Sequence, residues 1–132
     1  MIGLQIGETT GKRIVRRVLS VDPTTAEVTF EDTGQMLGVT TNGIGTYNSV
    51  VHPDGSIFSQ VHGINTTQDG ETLTYTGTGI GHFGPGGSVR YRGMLFYRTT
   101  SQKLAPLNNS CGAFEYEVDP TGLTTAKIWE WK

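Results

Sequence analysis

Among the 12 acidic side chains and three histidines of this sequence, three are the candidates for a general acid or base: Glu115, Glu117 and His62. The two glutamates are two positions apart, so a β-strand would present both carboxylates on one face. His62 lies in the middle of another strand-like run, and an imidazole titrates near neutral pH. We take these three residues as candidate catalytic groups that would transfer a proton to or from a bound substrate.

A second group of side chains could form the wall of a binding site. Around residues 88–99, Tyr91 and Tyr97 alternate with arginines, so a strand there has one aromatic and one basic face. Rings with a polar tip are typical of sites for largely apolar molecules. The candidate ligand-binding residues are Tyr47, His62, Tyr75, Tyr91, Tyr97 and Trp129.

The direction of that aromatic face separates two interpretations of the same strands. If it points inward, Arg90 and Arg92 form exposed ion pairs with Glu115 and Glu117, each worth about 0.2–1 kcal/mol. If it points outward, the same pairs are buried in a lumen, where desolvation is costly unless a polar ligand or proton transfer uses them. The pattern favours the first arrangement and leaves the second open.

Other motifs carry weaker signals. His52, His62 and His82 match no local metal-binding spacing, so we expect no metal. The glycine-rich segment 77–87 lacks the Lys-Ser/Thr ending of a phosphate-binding loop, so we expect no nucleotide cofactor. Cys111 is the only cysteine, which excludes an intrachain disulfide. We expect it to be a small buried side chain in a reducing, cytoplasmic compartment.

The composition limits the classes of partner. The chain has 132 residues, a formal net charge of −2 and only 17% charged residues. That charge balance argues against nucleic-acid binding driven by phosphate neutralisation. The apolar runs are too short for a membrane-spanning helix, and residues 1–10 show no secretory leader. We therefore expect neither nucleic acid nor a membrane as a partner.

Period-two alternation of β-branched and aromatic residues predicts eight strands and no long helix. The expected strands are 12–21, 26–31, 44–52, 56–66, 71–80, 88–99, 112–118 and 123–131. The pattern leaves open a continuation of the second strand past Gly34 as residues 35–41. Residues 1–10 would form an extra strand or a loose amino-terminal arm. Asn42-Gly43 is the strongest hairpin dipeptide, because both residue types tolerate positive φ.

Glycine recurs inside these strands, most densely between Gly70 and Gly93. Glycine weakens a strand, so its repeated presence indicates sharp sheet bending, bulges or close backbone approach. Eight strands joined by short turns are enough to close a small lipocalin-like barrel. The predicted fold class is all-β: an eight-stranded antiparallel up-and-down meander barrel over residues 1–132. A two-sheet sandwich is the alternative.

Several turn and glycine patterns resemble those of the allene-oxide-cyclase-like barrels, including small bacterial members of unknown function. They are Asp69-Gly70-Glu71, Tyr75-x-Gly77-x-Gly79-x-Gly81, Gly87-x-Val89-x-Tyr91-Arg92-Gly93, Leu107-Asn108-Asn109 and Phe114-Glu115, within roughly residues 40–132. The resemblance implies an eight-stranded barrel with an apolar lumen and a tendency to form homo-oligomers, either dimers or trimers. Enzymes of this superfamily bind hydrophobic ligands in the lumen and steer cyclisation mainly by shape. No catalytic position transfers to this chain.

These observations lead to three functional hypotheses. The first is a cytoplasmic protein that binds a small, largely apolar molecule in the lumen or mouth of the barrel. The second is an isomerase or cyclase of the same architecture, with Glu115, Glu117 or His62 as the acid–base group. The third is a structural or interaction module whose barrel is filled by its own side chains. The sequence leaves open whether the protein is an enzyme.

Overall fold

A computed structural model describes all 132 residues and shows eight antiparallel strands closed into a barrel in chain order. The strands are β1 (Ile2–Val21), β2 (Thr24–Met36), β3 (Val39–Val51), β4 (Ser56–Thr67), β5 (Thr72–Phe83), β6 (Val89–Thr99), β7 (Cys111–Val118) and β8 (Leu123–Trp131). Because β8 pairs with β1, backbone hydrogen bonding runs around the whole ring. The fold class predicted from the sequence is confirmed, and the sandwich alternative is wrong.

The amino-terminal segment belongs to the closing strand, so the prediction of a separate strand or loose arm at residues 1–10 is wrong. Residues 7–12 pair with β2 on one side and with β8 on the other. The pairing with β8 ends where Lys12 meets Leu123. From Ile14 to Val21, β1 pairs with β2 alone, which leaves one strand edge free.

The turn between β2 and β3 lies at Leu37-Gly38 rather than at Asn42-Gly43. Leu37 (φ 49°) and Gly38 (φ 77°) both have left-handed backbone, as a two-residue hairpin turn of the mirror-image class requires. Asn42 and Gly43 lie inside β3, where they pair with β2. Gly43 faces the interior, and a Cβ there would clash with the carboxylate of Asp32.

Large rings fill the inner face of the barrel by lying over glycines of neighbouring strands. A Cβ on Gly63 would clash with the ring of Tyr75, and one on Gly81 would lie 2.6 Å from the ring of Tyr91. Such a separation is well below van der Waals contact, so these positions admit no side chain. The dense glycines therefore provide room for the rings as well as for bending the sheet.

Buried apolar side chains form two clusters, one towards each end of the barrel. The lower layer consists of Ile6, Met36, Leu73, Tyr75, Leu95, Tyr97, Leu104, Leu107 and Ile128. The upper layer consists of Val28, Phe30, Tyr47, Ile57, Val89, Tyr91, Tyr116 and Val118. Together the two layers make the interior a packed core over most of its length.

The connection between β6 and β7 closes the lower end of the barrel. It contains a short 3₁₀ helix at Ala105–Asn109, and both Leu104 and Leu107 are buried in the lower layer. The side chain of Asn108 accepts a hydrogen bond from the Thr99 amide at 2.9 Å. This bond ties the connection to the end of β6, so the apolar plug is held in place.

We expect Gly93→Ala to lower the free energy of unfolding by about 1–3 kcal/mol, because a Cβ there would clash with the carbonyl of Thr78. Gly79 is its direct partner across β5 and β6. A Cβ on Gly79 would meet only the ring tip of Phe114 at 3.0 Å and the carbonyl of Arg92 at 3.1 Å. Gly79→Ala should therefore cost less in urea denaturation, and equal losses would contradict the steric argument.

Candidate functional site

A cavity of about 70 Å³ lies inside the barrel, bounded by side chains of both layers. Fifteen residues line it, and most of them are apolar or aromatic. All five tyrosines of the chain are among them: Tyr47, Tyr75, Tyr91, Tyr97 and Tyr116. The interior is thus aromatic, with phenol hydroxyl groups as its main polar atoms.

Four of the six predicted ligand-binding residues line this cavity, namely Tyr47, Tyr75, Tyr91 and Tyr97. All four side chains are buried. In β6 the aromatic face points inward, as the alternation with arginines indicated. Their position in the lumen is therefore observed, while their role in binding stays a prediction.

His62 and Trp129 lie on the outer face of the barrel and do not line the cavity. In β4 the inward positions belong to small side chains such as Val61 and Gly63, and His62 between them is exposed. In β8 the buried neighbour of Trp129 is Ile128, which takes the inward position. Strand parity puts these side chains outside the lumen, so neither contacts a molecule in this cavity, and a role in ligand binding elsewhere stays a prediction.

The candidate catalytic glutamates also lie outside. An oxygen of Glu117 accepts a hydrogen bond from Nε of Arg90 at 3.0 Å and lies 2.9 Å from its Nη2. Glu115 lies 3.8 Å from Arg92, and all four side chains are about half exposed or more. The arrangement with these pairs buried in the lumen is wrong, since tyrosines occupy the inner face. Neither glutamate, nor His62, can exchange a proton with a molecule in the cavity.

The carboxylate that does face the cavity is Asp32, which the sequence analysis missed. Alternate residues of β2, namely Val28, Phe30 and Asp32, point inward, so Asp32 lies on the same face of the strand as two apolar side chains. Its partners on the two neighbouring strands are Gly11 and Gly43, and a Cβ at either position would clash with Asp32. None of the five ion pairs in the structure includes Asp32.

The surroundings of Asp32 favour its neutral form. Burial raises the pKa of Asp32 above its usual 3.8, and the hydroxyl of Thr9 beside it opposes this shift. Burial also raises the pKa of Tyr75 and of Tyr97, and the charge of Asp32 adds to both shifts. The cavity therefore holds an acid without a countercharge, surrounded by phenols that are neutral at physiological pH.

The upper layer offers a second unsatisfied polar group. Tyr91 and Ser49 share a hydrogen bond of 2.9 Å between their hydroxyl groups. The hydroxyl of Tyr116 is buried without a partner. Burial raises the pKa of Tyr116, and the nearby hydroxyls of Tyr47 and Thr124 oppose this without meeting hydrogen-bond geometry. A buried unpaired hydroxyl costs about 1–3 kcal/mol, so a ligand that pairs with it would gain affinity.

One basic side chain shares the inner face. Arg13 lies opposite Phe30 across β1 and β2, and residues directly opposite point to the same side of a sheet. It is half-buried beside Gly122 in the turn between β7 and β8. Burial raises the pKa of Tyr47 and of Tyr91, and the charge of Arg13 counteracts both shifts. Arg13 thus acts on the upper layer and forms no ion pair with Asp32.

The remaining candidates for chemistry lie apart from one another. No three histidine, cysteine, aspartate or glutamate side chains come together as a metal-binding group. Cys111 is half-buried and pairs across the sheet with Phe96 and Trp131, outside the lumen. The structure has no helix with the length and apolarity that crossing a membrane would demand.

Asp32→Asn should stabilise the protein more as the pH rises. Because the folded pKa of Asp32 is raised, its contribution to stability is complete below about pH 4 and is lost as the pH rises through that pKa. The phenols that face it, Tyr75, Tyr97 and Tyr116, stay neutral in this range. We expect the difference in unfolding free energy between variant and wild type to grow from about pH 3 to about pH 7. Glu31→Gln, on the outer face of the same strand, controls for net charge, and a shrinking difference would contradict the burial of Asp32.

Two tyrosine variants separate a paired from an unpaired hydroxyl. Tyr91→Phe removes the 2.9 Å hydrogen bond and leaves Ser49 buried, so it should cost about 1 kcal/mol. Tyr116→Phe removes a hydroxyl that has no partner, so stability should be unchanged or slightly higher. Urea denaturation of both variants checks this, and an equal loss for the two would mean that Tyr116 is paired in solution.

Comparison with known proteins identifies the fold. No protein-family model and no curated protein matches this chain. A conserved protein of unknown function from Rhodopseudomonas palustris superimposes with a TM-score of 0.81 at 9% identity, covering 98% of this chain and 97% of that one. A protein of unknown function from Clostridium acetobutylicum ATCC 824 gives 0.80 at 14% identity, with 97% of each chain covered. A beta-barrel like protein from Acinetobacter baumannii AYE gives 0.82 at 11% identity, with 100% and 96% covered.

These identities are too low to carry anything beyond architecture. The three structures share the barrel with this chain, and two of them are described as proteins of unknown function. The resemblance to allene-oxide-cyclase-like barrels stays a prediction, since no match tests it. Function has to be argued from the cavity.

Proposed function

We propose that this protein binds a small, largely apolar molecule in the lumen of its barrel. The observation that supports this is the cavity itself, which is lined mainly by rings yet contains Asp32 without a countercharge and a Tyr116 hydroxyl without a partner. An apolar pocket with a few convergent polar groups is the usual form of a ligand site. Leaving both groups unsatisfied costs stability, which a ligand would recover.

The volume limits the ligand. About 70 Å³ is roughly half of an engineered cavity of about 150 Å³ that binds benzene. It is also far below the roughly 300–1,000 Å³ of pockets for drug-sized molecules. The ligand therefore has only a few non-hydrogen atoms, unless rings such as Phe114, which is half-buried, turn aside to admit more.

A filled barrel that works through its surface is the second candidate function, and the small cavity favours it. Ile44, Ile64 and Phe96 are about half exposed on the outer face, around a groove that also contains His62. Exposed apolar side chains grouped in this way are typical of contacts between protein surfaces. Under this proposal the chain forms a homo-oligomer, a dimer or trimer, across that face.

Catalysis as an isomerase or cyclase has less support. The acid–base groups expected for it, Glu115, Glu117 and His62, all lie outside the cavity. A reaction inside the barrel would have to use Asp32 as its carboxylate.

We propose a reducing, cytoplasmic location because the chain has a lone cysteine, Cys111.

Filling the cavity tests the binding proposal. Ala126→Leu puts three more carbon atoms into the lumen, whereas Thr125→Leu puts the same side chain on the outer face of the same strand. Titration with xenon, followed by ¹H–¹⁵N NMR, should show saturable shifts of lumen residues in the wild type and in Thr125→Leu. Benzene is the larger probe, which binds only if rings such as Phe114 turn aside. Ala126→Leu should weaken binding by at least about tenfold, because the space is occupied.

If Ala126→Leu does not fold, Ser59→Leu makes the same test from the opposite wall, where Ser59 is buried and lines the cavity. Absence of saturable shifts in the wild type with both probes would reject lumen binding. Retained binding in the filled variant would place the site elsewhere. Sedimentation of the wild type then decides whether the surface function applies.

A further inference from the structure

We infer that the ligand is a small alkylammonium ion, whose charged nitrogen binds to Asp32 while its carbon atoms lie against the tyrosine rings. This inference rests on the proposed function and specifies the ligand class for the same cavity. It names the occupant by charge, size and shape: one cationic nitrogen and a few apolar carbon atoms.

Asp32 has no countercharge within the protein. Asp32 lines the cavity, and no lysine, arginine or histidine pairs with it. A carboxylate in such a place is costly unless a cation or several donors compensate it. The hydroxyl groups around it, those of Thr9 and of the tyrosines, are neutral. A cation that enters the cavity would supply the positive charge that no side chain of the protein provides at Asp32.

Two acceptor oxygens lie close together beside Gly43. The Oδ1 atoms of Asp32 and Asn65 both lie where a Cβ of Gly43 would stand, so they converge on the same small space. Asn65 is nine-tenths buried or more. When Asp32 is ionised, both oxygens are acceptors and need a donor, and an ammonium group carries up to three. The absent side chain at Gly43 is what lets the two oxygens approach one another.

Aromatic rings form the wall of the cavity near Asp32. Tyr75 and Tyr97 line the cavity, and their ring centroids lie 6.0 Å apart. Both are close enough to Asp32 for its charge to raise their pKa in addition to burial. The faces of aromatic rings attract cations, and the attraction is stronger where water is excluded. Rings next to a carboxylate are therefore suited to an organic cation rather than to a hydrated inorganic ion.

The single cation of the inner face does not occupy this position. Arg13 lies beside Gly122 and influences Tyr47 and Tyr91 in the upper layer. The negative end of the lumen and its positive group are thus separated along the barrel. A ligand cation at Asp32 does not have to displace an arginine.

Isopropylammonium and isopropanol are matched probes, since they have the same carbon skeleton and differ in charge. We expect the wild type at pH 7 to bind isopropylammonium at least about tenfold more tightly in NMR titrations at fixed ionic strength, which corresponds to about 1.4 kcal/mol. Asp32→Asn should abolish this preference, so that the two probes bind with similar affinity. Glu31→Gln removes a carboxylate from the outer face of the same strand and should keep the preference.

The possible outcomes distinguish a failure of the ammonium assignment from a failure of lumen binding as such. Equal affinity for the two probes in the wild type, or a preference that survives Asp32→Asn, would overturn the ammonium assignment while lumen binding stands. If neither probe binds but xenon does, the assignment also fails and an apolar ligand remains. If xenon, benzene and both isopropyl probes all fail to bind, lumen binding itself is rejected. Weaker isopropylammonium binding as Asp32 becomes protonated at lower pH would support the assignment independently of any variant.

Discussion

Rings and glycines occupy complementary positions inside this barrel, and the rest of the interior depends on that fit. Phe30, Tyr47 and Tyr116 pack with ring centroids 5.6–5.9 Å apart in the upper layer. Eight strands enclose little more than the volume of their own side chains. Rings of this size fit because facing positions such as Gly45 and Gly63 carry no side chain. The same fit leaves only a small void, which is why any ligand must be small.

Apart from the tyrosine hydroxyls, the polar groups of the interior lie mostly on one side of this packed aromatic core. Thr9, Asp32, Thr41 and Asn65 all come from β1 to β4, whereas the strands from β5 to β7 contribute mainly rings and aliphatic side chains. The lumen therefore has a polar wall and an aromatic wall. Two walls of different polarity orient a molecule that has one polar and one apolar end. A uniformly apolar cavity would not orient it.

The sequence predicted the strands and the inward face of β6, because Tyr91 and Tyr97 alternate regularly with charged residues. It did not reveal Asp32, since the expected strand ended one residue earlier and the acid's face stayed undefined. The signal that could have found it is a charge in phase with apolar Val28 and Phe30. The face of His62 was not evident from the sequence, because large apolar residues lie on both faces of β4: Ile57 is inside, whereas Phe58 and Ile64 are outside with His62.

The length of β1 has a further consequence at the upper end of the barrel. Its residues 14–21 extend past β8, and Val15 and Val18 on this extension are 58% and 72% exposed. A free apolar strand edge invites another chain to add a strand, which leads to aggregation. Arg16 and Arg17 interrupt that edge with positive charge. Positive charge on an edge opposes such pairing, and salt that screens the charge weakens this opposition.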